Sequence, residues 1–465
     1  MSDQALADRP EAVRNPVGVL VVLLMAGVSF ALSQTLVIPA LPDISQSVHA
    51  SPAAASWILS GFLLSASIST PIVGKLGDVY GKGRVLTLTL LVFSAGGVVC
   101  ALAHSIALLI AGRVIQGVAG GVFPLAFGII RDTFPPERVA SGLGLVSAIL
   151  GIGAGIGLPL SGVIADGIGV EWLFWISLIA LPAALAAHRL VPESPESKRL
   201  RIDWLGAAIL SAALAAILLA VTEADDWGWG SATTLGLILG GIGLLGLWVW
   251  VESRVREPLI DLRVLRGRAV ASTNLTGLLV GFAMFSSFLL IPQFAQAPTS
   301  TGYGFGDSVS EAGLLLVPAA IFQLVAGPLA GGLGARIGFR TTLAGGAALA
   351  TLAFVLLALE HEHPWQFIVS AALLGCGISF AFASMANLIV GAVPQSEVGI
   401  ATGINTIMRT VGGAFGAAVA TAVLTANTIP GSSLPTEGAY TAAFVLSAAG
   451  GVLAVCAALR VPAPT

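Results

Sequence analysis

The chain is predicted to be an all-α integral membrane protein of fourteen transmembrane helices, two six-helix bundles plus two extra central helices. Three observations predict this. First, 56% of the residues are hydrophobic and 10% charged, against about 25% charged in a soluble domain, so lipid must solvate most of the surface. Second, the chain divides into fourteen apolar segments, and a helix needs about 20 apolar residues to cross a bilayer. Third, of the 21 Lys and Arg residues all but Arg113 and Arg409 fall in alternate connections or at the termini. Basic residues stay on the cytoplasmic side of a membrane protein, which sets the number of spans and their orientation together.

The segments are 17–41, 52–75, 84–104, 106–132, 139–165, 170–190, 203–222, 232–252, 270–292, 310–335, 340–360, 364–392, 397–427 and 438–460. The first follows a polar stretch of mixed charge. It is too long for a signal-peptide core and leads into further spans, so it reads as an uncleaved first helix. Arg9 and Arg14 precede it. Lys75, Lys82 and Arg84 join the second segment to the third, and Arg131 and Arg138 the fourth to the fifth. Arg189, Lys198, Arg199 and Arg201 follow the sixth, and Arg254, Arg256, Arg263, Arg266 and Arg268 follow the eighth. Arg336 and Arg340 join the tenth to the eleventh, and Arg460 follows the last. Both termini are therefore expected in the cytoplasm. The nine tryptophans, Trp57, Trp172, Trp175, Trp204, Trp227, Trp229, Trp248, Trp250 and Trp365, fall near predicted interfaces, where an amphipathic ring settles.

GKLGDVYGK at Gly74–Lys82 aligns with GGLGARIGF at Gly331–Phe339. Both follow an inward-running segment, as expected of duplicated halves. The expected division is 1–190 and 269–465 for two six-helix halves, with segments 203–222 and 232–252 inserted between them in 191–268. Charged stretches from Val191 to Ile202 and from Ser253 to Arg268 flank the insertion.

Chemistry is read by elimination and by charge at depth. Neither Gly74-Lys75-Leu76 nor Gly81-Lys82-Gly83 meets the Gly-Lys-Ser/Thr requirement of a P-loop. No ATP site is recognised, no cofactor is expected, and uphill work would use an ion gradient. Cys100, Cys376 and Cys456 lack metal-ligand spacing; no metal site and no disulfide are expected. The basic loops are short and poor in aromatics, which argues against nucleic acid. His361 and His363 flank Glu362 in a short outer loop and read as solvated. No nucleophile triad or intramembrane acid pair points to an enzyme. The expected partners are the lipid bilayer and a small-molecule substrate, and nothing in the sequence sets the oligomeric state.

No carboxylate lies near the predicted midplane. Arg113 and Arg409 are the only charges well inside, Arg409 about twelve residues or roughly 18 Å into its helix at 1.5 Å per residue. A buried charge is expensive and Arg does not readily release its proton. Each must therefore meet water, an anion, or several carbonyl and amide oxygens. Two readings stand for each: an anchor between helices, or a charge lining a cavity. Amides at comparable depth are Gln34, Gln116, Asn274, Gln323, Asn387 and Asn405, with Thr35 beside them, and Gln293 and Gln296 are placed at an outer mouth. Two arginines with these amides and no deep acid suit neutral, zwitterionic or anionic amphipathic molecules.

The loop GKLGDVYGKGR at Gly74–Arg84 resembles the signature loop between helices 2 and 3 of the major facilitator superfamily. RVIQG at Arg113–Gly117 resembles its helix-4 motif. Fourteen spans with two inserted centrally, LIPQFAQ at Leu290–Gln296, EAGLLLVP at Glu311–Pro318 and MRTVGGAFG at Met408–Gly416 are similar to its drug:proton antiporter branch with fourteen transmembrane helices. The resemblance covers essentially the whole chain. It implies a major-facilitator-like fold and export of drugs or amphipathic small molecules driven by the proton gradient. The high Ala and Gly content with few Lys points to a bacterial source, and so to the cytoplasmic membrane of a bacterium. The alternative is a uniporter or importer of a small organic solute. Two departures stand out: Ser33 occupies the place of an intramembrane acid in helix 1, and helix 5 carries Leu158-Pro159 and then Gly162-Val163 in place of Gly-Pro and Gly-Gly.

The expected site follows. Gln34, Arg113, Gln116, Asn274, Asn387, Asn405 and Arg409 would line a central cavity, with Gln293 at its mouth. Asp132, with Arg113, is the proton-coupling candidate. Asp78 sits among Lys75, Lys82 and Arg84 and could pair with them or cap a neighbouring helix N-terminus. Gly74, Asp78, Gly81 and Arg84 would form a conformational latch, with Arg84 the expected partner of Asp78. Gly153, Gly157 and Pro159 would form a hinge in helix 5.

Overall fold

Fourteen long helices succeed one another where the hydropathy places them: α1 (Pro16–Thr35), α2 (Pro52–Tyr80), α3 (Lys82–Ala101), α4 (Ile106–Thr133), α5 (Pro136–Ile168), α6 (Trp172–Leu190), α7 (Trp204–Thr222), α8 (Ala232–Glu252), α9 (Arg268–Gln296), α10 (Ser310–Ile337), α11 (Phe339–Leu359), α12 (Pro364–Ala392), α13 (Val398–Ala426) and α14 (Glu437–Leu459). The computed structural model describes residues 16–38, 40–50, 52–192, 203–228, 230–255, 258, 262–394, 397–432 and 434–462. Arg9, Arg14, Lys198, Arg199, Arg201, Arg256 and Trp229 lie outside these residues. Among the described residues, 13 helices have the length and apolarity of a membrane span. The 33-residue α5 occupies the remaining predicted segment. The protein is a multi-pass membrane protein, because in lipid each backbone N–H and C=O must be satisfied within its own helix.

Polar residues punctuate the helices. Ser105, Asp203, Ser231 and Thr436 accept a backbone N–H at the starts of α4, α7, α8 and α14. Ser308 and Glu311 form a reciprocal capping box at the start of α10, each satisfying donors that the first helical turn leaves free. The turn between α2 and α3 passes through Gly81 at φ 95°, ψ 126°, and the turn between α10 and α11 through Gly338 at φ 91°, ψ 136°. These glycines occupy equivalent positions of the sequence repeat, in a region that a side chain disfavours.

Two details depart from the predicted segments. The first helix stops at Thr35, six residues early, and a short helix Leu41–Ser47 follows. Pro39 and Pro42 supply no N–H to extend the ladder. The fourth span is not uniform: Val118–Gly121 is a 3₁₀ turn between two α-helical pieces. There Gly120 presses on the Ala66 backbone and Gly121 on Val73, so α2 and α4 come nearly into backbone contact.

One apolar core is built mainly from α1 to α6, around Leu23, Phe62, Phe93, Phe123 and Ile149. Another is built from α9 to α14, around Phe294, Phe354, Phe367, Phe382 and Phe444. At the end of the molecule carrying the basic turns, the first core continues into Ile389, Val393, Val398 and Ala401. Helices α7 and α8 pack on each other, and α7 also touches α2 and α13. Ala207, Leu210, Leu214 and Trp248 meet Ile400, Ile404 and Ile407 there. Trp248, expected at an interface, is thus covered by protein. Only 17% of the apolar window of α8 is buried, so most of that helix faces lipid.

Candidate functional site

The basic end is closed by backbone contact between the first and last groups of helices. A Cβ on Gly327 of α10 would stand 2.7 Å from the Gly144 carbonyl oxygen of α5. Gly74 of α2 meets Gly399 of α13 in the same way. Small residues permit this approach, which is how helices associate in lipid. Polar groups extend the seal. Arg131 Nη1 donates to the Val393 carbonyl at 3.0 Å, and Asn387 Nδ2 lies 3.5 Å from the Ala140 carbonyl while bonding Ala383 at 2.8 Å.

Beside this seal lies a buried ion triad. Lys82 Nζ is 3.1 Å from Asp78 Oδ1 and 3.0 Å from Asp132 Oδ2, with all three side chains at 5% exposure or less. The loop thus supplies a lysine between two carboxylates, one from α2 and one from α4. The expected partner of Asp78 was Arg84, but the side chain that pairs with it is Lys82, and Arg84 is exposed. The reason is helical spacing. Gly81 turns the chain so that Lys82, four residues after Asp78, points back under α2, while Arg84 starts the outward face of α3. The second oxygen, Asp78 Oδ2, would lie 3.0 Å from a Cβ on Gly399. It is therefore at the N-terminus of α13, where the helix dipole favours negative charge.

Further from the basic end the two groups of helices part around a cavity of ≈ 1020 Å³, counted out to open solvent. Phe30, Gln34, Thr35 and Ile38 line it from α1 and the turn after it, and Leu63, Ala66, Ser67 and Thr70 from α2. Gly120 and Phe123 of α4 complete that side. Met284, Phe285 and Phe288 of α9, Phe382 of α12, and Thr406, Ile407, Arg409 and Thr410 of α13 face them. The wall is mostly aromatic and aliphatic with a few hydroxyls, one amide and one guanidinium. That is the usual make-up of a pocket for small organic ligands.

The two intramembrane arginines have opposite roles. Arg113 is 1% exposed. Its Nε donates to the Ile58 carbonyl at 3.0 Å, and its Nη1 to the Ser33 carbonyl at 3.0 Å and to Gln116 Oε1 at 2.9 Å. Its guanidinium lies 4.1 Å from the centre of the Phe62 ring. Phe62 in turn packs on the cavity residue Phe30, ring centres 5.5 Å apart. Arg113 therefore sits a full side-chain layer behind the wall and ties α1, α2 and α4 together. Arg409 lines the cavity. It rests 4.2 Å above the Phe382 ring, and its Nη2 donates to Thr406 Oγ1 at 3.0 Å.

Of the other expected cavity residues only Gln34 is in the lining. Gln116 is sealed with Arg113. Asn405 donates to Asn274 at 3.1 Å, and this buried pair joins α13 to α9. Gln323 is buried in α10, Asn387 belongs to the seal, and Gln293 is exposed outside the lining. Asp132 is in the ion triad, away from Arg113. In the expected hinge, Gly153 packs on Ala31 and accepts a 2.6 Å bond from Thr35 Oγ1, and Gly157 packs on Thr35. Pro159 lies in the same helix, with its side chain outside the described set. His361 is buried rather than solvated. Its Nδ1 lies 2.7 Å from the Leu357 carbonyl and its Nε2 3.2 Å from Glu437 Oε1. The reading from sequence missed the aromatic walls. Their signal was Phe285 and Phe288 at three-residue spacing on α9.

Fold and cavity together define a helical membrane protein with a central cavity between two groups of spans. The chain belongs to the Major Facilitator Superfamily, whose family model matches residues 23–304 and 273–465. It is 29% identical over 391 residues to the multidrug resistance protein Stp of Mycobacterium tuberculosis, covering 83% of this chain and 72% of that one. It is 28% identical over 389 residues to the tetracenomycin C resistance and export protein of Streptomyces glaucescens, covering 83% of this chain and 71% of the relative. An uncharacterized MFS-type transporter of Mycobacterium tuberculosis is 30% identical over 391 residues; the chain spans only 56% of that relative's length. The fold is similar to the crystal structure of the human organic anion transporter MFSD10, with a TM-score of 0.67 at 18% identity, over 95% of this chain and 99% of that one.

Proposed function

We propose that the protein is a secondary active transporter that exports drugs or other amphipathic small molecules across the cytoplasmic membrane in exchange for protons. The observation that carries this reading is the apolar cavity between two groups of helices whose basic ends are pressed together. With the basic end taken as cytoplasmic, this conformation is closed towards the cytoplasm. Rocking of one group against the other would part the Gly74–Gly399 and Gly144–Gly327 contacts and open the cavity to the cytoplasm. The similarity to proteins named for drug resistance and export favours outward transport.

Asp78, Lys82 and Asp132 are the proposed proton carrier and latch. Two carboxylates share one ammonium in a buried place, and one of them faces the N-terminus of α13. Adding a proton removes a negative charge from that helix end and weakens the seal, so proton uptake favours opening.

The test is flux in proteoliposomes with an imposed pH gradient, against cationic, neutral and anionic aromatic compounds. Proton-driven accumulation that collapses with an uncoupler is expected, as is a large loss of flux in Asp78→Asn and Asp132→Asn proteins that still insert. Flux indifferent to both the gradient and the uncoupler would instead establish a uniporter.

A further inference from the structure

The cavity wall carries a positive charge without a negative one. Among the described lining residues Arg409 is the only charged side chain. Arg409 has one hydrogen bond, to Thr406, and no carboxylate partner among the described residues. A guanidinium has five N–H donors in a planar fork, so most of its donor edge is left for the cavity. The Phe382 ring covers one face of that plane at 4.2 Å, fixing its orientation while leaving the edge open. Arg113 is the internal comparison: it is equally enclosed but bonded to two carbonyls and an amide, and screened from the cavity by Phe62 and Phe30. Arg113 spends Nε and Nη1 on protein oxygens and its Nη2 is sealed away from the cavity; Arg409 turns its unused donors to the cavity and awaits an oxygen from elsewhere.

We infer that the cavity takes organic anions: molecules with a flat aromatic body and one carboxylate or sulfonate. Arg409 would grip the acidic group by its open edge, the bidentate geometry for which a guanidinium is suited. Phe285 and Phe288, ring centres 5.9 Å apart, would meet the aromatic body with Phe123 from the opposite side. A bare halide would satisfy the charge but gain nothing from these rings. A lipophilic cation would meet the rings, but also Arg409, with no carboxylate to offset it. This inference rests on the cavity being the transport site, and it narrows the substrate class.

The experiment measures binding to the purified full-length protein in detergent, so that it does not depend on transport. The probes are 2-naphthalenesulfonate, 2-naphthamide and 2-naphthylmethylammonium, which share one ring system and differ in charge. The sulfonate is expected to bind at least about tenfold more tightly than the amide, as a charge-assisted pair outweighs a neutral one, and the ammonium most weakly. Arg409→Gln should erase the sulfonate's advantage over the amide, and residual amide binding reports a folded cavity. Arg409→Lys, which keeps the charge and serves if Arg409→Gln does not fold, should preserve the order with weaker sulfonate binding. Equal or tighter binding of the ammonium, a sulfonate preference that survives in Arg409→Gln, or a lost order in Arg409→Lys would overturn the inference. So would sodium chloride competing as well as the sulfonate at equal concentration. Sulfonate-selective binding without sulfonate flux in vesicles would uphold the ligand class and overturn the export reading instead.

Discussion

Gly74 and Gly399 are in mutual backbone contact: a Cβ added to either would stand 2.7 Å from the carbonyl oxygen of the other. Each comes from a helix that borders the cavity, α2 from the first group and α13 from the second. Their contact therefore decides whether the basic end is shut. A hydrogen atom in place of a side chain is what lets the helices touch there, and Asp78 sits beside the contact.

A side chain at this point should prop the seal open. Gly74→Leu is expected to disfavour the closed form by about 1–3 kcal/mol, the usual cost of overpacking, a shift of roughly five- to 150-fold. The check is a cysteine at Ser67 in a background lacking the three native cysteines. It is labelled with a membrane-impermeant thiol reagent in inside-out vesicles, where the basic end faces the reagent. Labelling should accelerate in the Leu variant; an unchanged rate would mean that this contact is not the gate.

The ion triad should respond unequally to loss of its members. Lys82→Met leaves two buried carboxylates facing one another, and breaking such a pairing costs about 3–5 kcal/mol. Asp78→Asn leaves Lys82 paired with Asp132 and should cost less. Thermal unfolding of the purified protein measures both, and greater damage from Asp78→Asn would contradict the bridging position of Lys82.

Arg113 should matter for stability and not for selectivity. Arg113→Met removes the donor shared by the Ile58 and Ser33 carbonyls and the Gln116 amide oxygen, at about 1–3 kcal/mol for each acceptor left without another partner. Expression and thermal stability should fall while the relative affinities of the naphthalene probes hold. A changed ranking of probes with unchanged stability would move Arg113 into the cavity wall.

Helix α7 braces α2 and α13 through Leu210 and Leu214. Leu→Ala in a soluble core costs about 2–5 kcal/mol, but here the alternative surroundings are lipid, so only packing contacts are lost. Each substitution is expected to cost about 1–2 kcal/mol by thermal unfolding. A cost at the soluble-core level would show that water, and not lipid, fills the space when α7 detaches.

Much of the fold was legible in the residues. The helices begin and end within a few positions of the apolar segments, and the turn glycines Gly81 and Gly338 stood out through the repeat. The site was legible only in part. Gln34 and Arg409 line the cavity, but Gln116, Asn274, Asn405 and Asn387 spend their polar groups on other helices. An amide at mid-depth reads the same in sequence whether it faces a neighbour or a void. Asp78 was recognised with Lys75, Lys82 and Arg84 all open as partners; the choice of Lys82 over Arg84 was not legible, because the two differ by which side of a glycine turn they emerge on.

The sequence by itself determined the number, order and extent of the helices and the end at which positive charge gathers. Lipid leaves the backbone no alternative to helix and resists the passage of cations, so both are properties of short stretches of chain. Tertiary structure alone decided which arginine is exposed to the cavity. Arg113 and Arg409 each interrupt a predicted span, and what separates them is Phe62 from one helix and a gap beside Phe382 from another. Such neighbours come from distant parts of the chain and are brought together by how the helices pack.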